Sequence, residues 1–128
     1  MEVQTEVLQA VSEFLGISIG QLPESGGCVM ELAPSGTPRR FLSGESYEQM
    51  SVLVLAKDRS QKTVLEKLNQ LCSKCRTLSL PGGEKWQIKL IEVTTSPNYV
   101  GQEKNKDGIM WIYRSEEHTS ELQSRPHI

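Results

Sequence analysis

Cys72-Ser73-Lys74-Cys75 is the spacing in this chain that most invites chemistry, because two thiols separated by two residues suit a redox pair or half of a tetrahedral zinc site. A zinc site would need four ligands. Cys28 supplies only a third, and the two histidines, His118 and His127, both lie in the last 15 residues. Cys72 and Cys75 also continue the helical stripe of Val64, Leu65, Leu68 and Leu71, where free thiols serve as small hydrophobes. The expected role of the pair is therefore structural. Gly26-Gly27, Gly82-Gly83 and Pro34-Ser35-Gly36 lack the spacing of phosphate-binding loops and read as turns. Trp86, Trp111 and Tyr113 could stack on single-stranded bases, but no basic residues are interleaved with them, and a place in the core or at a subunit interface is expected instead. The acidic residues form no close pair on one face. No catalytic residue, cofactor site or metal site is expected, and the chain reads as a non-enzyme.

The peptide running from Arg114 through Ser115, Glu116, Glu117 and His118 to Ser124 matches the in-frame translation of a common sequencing-library adapter. Residues 114–128 are accordingly expected to be a non-native, disordered tail that packs against nothing, leaving 1–113 as a single domain. Residues 1–113 hold no histidine, which excludes Ser-His and Cys-His nucleophile pairs from that domain. Two of the 14 basic and three of the 16 acidic residues fall in the tail, so the domain carries a net charge of −1. No strongly basic face is present, and specific nucleic-acid binding is not expected. No apolar run approaches the length of a membrane span, the first residues do not resemble a secretory signal, and three cysteines do not make a disulfide framework. Synthesis in the cytoplasm, with reduced thiols, is expected.

Apolar residues at helical spacing predict a helix over residues 3–15, ended by Gly16. A short strand is predicted at 17–22 and a second at 28–33. A breaker-rich loop follows at 34–45, in which Phe41 and Leu42 suggest docking on a partner. Alternation over residues 47–56 marks a central strand with Met50, Val52, Val54 and Ala56 on one face. A second helix is predicted from Asp58 or Ser60 onward, then a strand over 86–95 and a final strand from Ile109. The polar stretch 96–108 reads as a long loop reaching out to a partner. The fold class is α+β: a single, mostly antiparallel sheet of four to five strands covered by two helices.

In this order of elements, most of residues 17–113 resembles a family of small phage minor capsid proteins whose fold is similar to that of tail terminator and head-tail joining proteins. The likeness rests on Ile19-Gly20-Gln21-Leu22-Pro23 before a short strand, and on the 36–44 loop leading into Tyr47-Glu48 and the central strand. It continues with the helix after Asp58 and the two closing strands, with Asp107-Gly108 before the last. The resemblance implies a structural virion protein at the neck or tail end, assembled as a ring, usually a hexamer. Its partners would be other copies of itself, tail-tube proteins and head-completion or portal proteins, without membrane or specific nucleic-acid binding. Arg39, Arg40, Phe41, Leu42, Tyr99, Gln102, Lys104 and Lys106 are the candidate interface residues. The alternative is a small metal- or nucleic-acid-binding module.

Overall fold

A computed structural model describes residues 3–33, 39–40, 45–76, 80–83, 86–106 and 108–124. The elements run α1 (Val3–Leu15), β1 (Ser18–Ile19), β2 (Gly27–Ala33), β3 (Arg39–Arg40), β4 (Glu45–Asp58), α2 (Gln61–Lys74), β5 (Trp86–Asn105) and β6 (Gly108–Ser124). Five strands lie in the order β1-β2-β4-β6-β5, and β3 pairs with β4 beside β2. Every pairing is antiparallel except the short β1–β2 contact. The protein is an α+β fold with one mostly antiparallel sheet and two helices.

The core lies between the helices and one face of the sheet. Val7, Val11 and Leu15 of α1 and Val64, Leu68, Leu71 and Cys75 at α2 form one cluster with Met50, Val52, Val54 and Ala56 of β4. Period-2 alternation on the strand meets period-3.6 stripes on the helices, so each element turns an apolar side to the core. Gly16, at φ 72°, adopts the left-handed conformation that ends α1, and its amide donates to Ser12 O at 2.9 Å. At the start of α2, Ser60 is the cap: its Oγ accepts from Thr63 N at 3.3 Å, while Asp58 Oδ1 accepts from Ser60 N at 2.9 Å. Lys62, Lys67 and Lys74 of this helix are exposed.

Two expectations are corrected. First, residues 96–108 do not form a free loop. β5 continues to Asn105 and pairs with β6 almost to its tip, Asn105 opposite Gly108. The stretch is polar because the outer part of this ribbon is largely exposed, and an exposed ribbon needs no apolar alternation. Second, residues 114–124 are not a free tail. They complete β6, which lies between β4 and β5 and pairs with both, from Leu55 opposite Arg114 to Glu45 opposite Ser124 on the β4 side. Backbone amides and carbonyls recruit any extended chain laid between two strands, whatever its side chains. Residues 125–128 lie outside the described residues, as do Phe41 and Leu42. The predicted 17–22 strand shortens to Ser18–Ile19.

Candidate functional site

The sequence motif that most suggested chemistry resolves into a buried polar cluster. Cys72 faces the sheet from α2, and its Sγ donates weakly to Glu117 Oε1 at 3.7 Å. Ser115 Oγ donates to the same oxygen at 2.9 Å. Glu117 is 2 % exposed, and its other oxygen, Oε2, has no hydrogen-bond partner. Burial pushes the Glu117 carboxyl up to about 7, against the lowering effect of the Ser115 and Cys72 hydrogen bonds. The thiols move the same way. Burial raises Cys75 to about 12 and Cys28 to about 11, and it raises Cys72 too; the Glu117 charge adds to each. Thiols held above their ordinary range stay protonated at neutral pH, which is the opposite of what nucleophilic attack or metal ligation requires.

Cys28 does not join the other two at one centre. It lines a separate cavity of about 200 Å³ with Ala56, Lys57, Thr63, Val64 and Lys67, at the end of the sheet nearest the start of α2. Among the described residues, no group of three or more His, Cys, Asp or Glu could hold a metal ion. Trp86, considered for base stacking, is a core residue at 7 % exposure. Its indole N–H has no partner among the described residues, and Gly83 packs closely against the ring, its amide donating to Trp86 O at 2.9 Å.

The candidate interface residues fall on two parts of the sheet. Arg39 and Arg40 form β3, opposite Tyr47 and Ser46. Tyr99, Gln102 and Lys104 are exposed on β5, and Lys106 is in the turn after it. Tyr99 packs edge-on against Tyr113, with centroids 5.5 Å apart, and tilts over Trp111 at 6.1 Å. Lys57, buried in β4, reaches Glu103 of β5 at 2.8 Å and ties the ribbon to the body of the sheet.

Exposed apolar side chains extend this surface beyond what the sequence reading named. Ile19 and Leu32 are exposed on β1 and β2, at one end of the strand order, and Leu90, Tyr99 and Val100 on β5 at the other. Leu90 was legible in principle: Ile88 and Ile91 are three apart, which breaks alternation and requires a bulge that turns a residue outward. The register does shift between Ile88 and Leu90. No protein-family model matches the chain, and no curated protein matches it.

Proposed function

We propose that the chain is a structural subunit that assembles head to tail into a closed ring. Following the resemblance in its order of elements, we assign it to the minor capsid proteins of a phage neck or tail end, as a tail terminator or head-tail joining protein. The observation that carries this reading is the pair of unlike apolar edges. Heterologous association requires two different surfaces on every copy, whereas a two-fold dimer needs one surface that matches itself. Ile19 and Leu32 mark the first surface and Leu90, Tyr99 and Val100 the second, on strands at opposite ends of the strand order. A wall that passes a genome without gripping it also suits a domain with a net charge of −1 over residues 1–113. Other copies, tail-tube proteins and head-completion or portal proteins are the partners this role requires, and the virion is the place.

Sedimentation velocity and negative-stain microscopy over a concentration series test the reading, because a ring gains from every contact it closes. Leu32→Glu and Val100→Glu should each abolish rings while leaving the far-UV circular dichroism unchanged. Mixing the two variants is the sharper measurement. Each retains the surface the other lacks, so head-to-tail association yields a heterodimer that can grow no further. A chain that stays monomeric at all concentrations, alone and with tail tubes, removes the ring.

A further inference from the structure

We propose that the slot between β4 and β5 is built to seat a strand with apolar inward side chains, and that residues 114–124 occupy it as a substitute of the wrong chemistry. The walls of the slot define its occupant. Val54, Val52 and Met50 of β4 stand opposite positions 115, 117 and 119, and each is 2 % exposed or less. On the other side, Val93 pairs with position 117 and Ile91 with position 119. Leu68 and Cys72 face the sheet from α2. The side chains of these wall residues are hydrocarbon or thiol, yet the inward residues are Ser115, Glu117 and Thr119, each buried to 2 % or less.

A second observation, independent of the packing, falls at the same place. Within β6 the inward residue before the slot is Tyr113, a member of the core cluster, and the inward polarity begins at Ser115. The match to a translated adapter begins at Arg114, between the two. Main-chain pairing continues through this junction without a register shift against β4. The backbone therefore accepts the segment while the interior does not, and Glu117 Oε2 is left without a partner.

Full-length protein tests this with two variants. Ser115→Ala/Glu117→Leu/Thr119→Val keeps the volumes close and removes both hydroxyls and the carboxylate together, so that only the weak Cys72 thiol donor of this cluster loses its acceptor. Glu117→Gln removes the charge at nearly the same shape, with an amide NH2 in place of one carboxyl oxygen. The triple variant should raise the thermal midpoint at pH 5 and pH 9, by at least about 5 °C at pH 9, and should abolish the difference between the two pH values. Glu117→Gln should abolish the difference with a smaller gain. The titratable side chains around Glu117 are Cys72 of α2, Cys75 at its C-cap, Cys28 of β2 and the chain neighbour Glu116, and burial pushes the three thiols toward their protonated form. A triple variant that melts at or below the parent at pH 5, or that fails to fold, overturns the proposal, because the slot would then require the polar set.

Discussion

β4 and the second half of β6 lie side by side and bury the same face of one sheet, but they bury different chemistry. Met50, Val52, Val54 and Ala56 face the helices from β4, while Tyr113, Ser115, Glu117 and Thr119 do so from β6. Both strands alternate, and both satisfy their backbone groups by pairing. The difference teaches that strand pairing tests only whether a chain can extend, whereas the interior tests what each second side chain is. A hydroxyl can answer that test by bonding to a carbonyl, as Thr119 Oγ1 does to Met50 O at 3.4 Å. A carboxylate with one bare oxygen cannot, so it is pushed toward its neutral form.

The most drastic way to break the comparison is to end the chain at Tyr113. That removes the partner of β4 over residues 45–55 and of β5 over residues 86–98, and it leaves two strands apart in the middle of the sheet. Loss of cooperative thermal unfolding is the expected result, read by circular dichroism. A truncated chain as stable as the parent would mean that residues 114–124 contribute nothing to the fold.

Leu68→Ala opens a cavity above the sheet at a side chain with no exposure, and it should cost about 2 to 5 kcal/mol in urea denaturation. A cost below about 1 kcal/mol would show that α2 is not seated on this face.

The pH dependence of stability sharpens the contrast next. Glu117 is raised from 4.5 to about 7 on folding, so the folded chain holds its proton more tightly than the unfolded chain. Stability is then complete below about pH 4.5 and falls as pH rises through about 7, by on the order of 3 kcal/mol. Urea midpoints at pH 5 and pH 8 should differ accordingly. Greater stability at pH 8 would reverse the sign and place the carboxylate in a favourable site. The smallest effect is expected away from both strands, where Lys62 and Glu66 stand 3.9 Å apart on the exposed face of α2. Lys62→Ala should change stability by less than about 0.5 kcal/mol.

The strong periodicities were legible in the sequence. The α1 stripe with its terminal Gly16, the buried face of β4 and the Leu68-Leu71-Cys72 face of α2 all follow from local patterns. Local patterns suffice there because each repeats the period of its own backbone. The Cys72-Cys75 spacing was legible as core for the same reason. Tertiary structure decided the remainder. Residues 96–105 carry no apolar period, yet pairing with β6 and the packing of Tyr99 on Tyr113 and Trp111 hold them as strand. Residues 114–124 carry no signal that would place them in the centre of a sheet; the gap between β4 and β5 places them there. Backbone hydrogen bonding between distant segments is indifferent to side-chain identity, so it leaves no trace in either partner's sequence. Its consequence, a carboxyl group sealed under a helix, exists only once the strands have met.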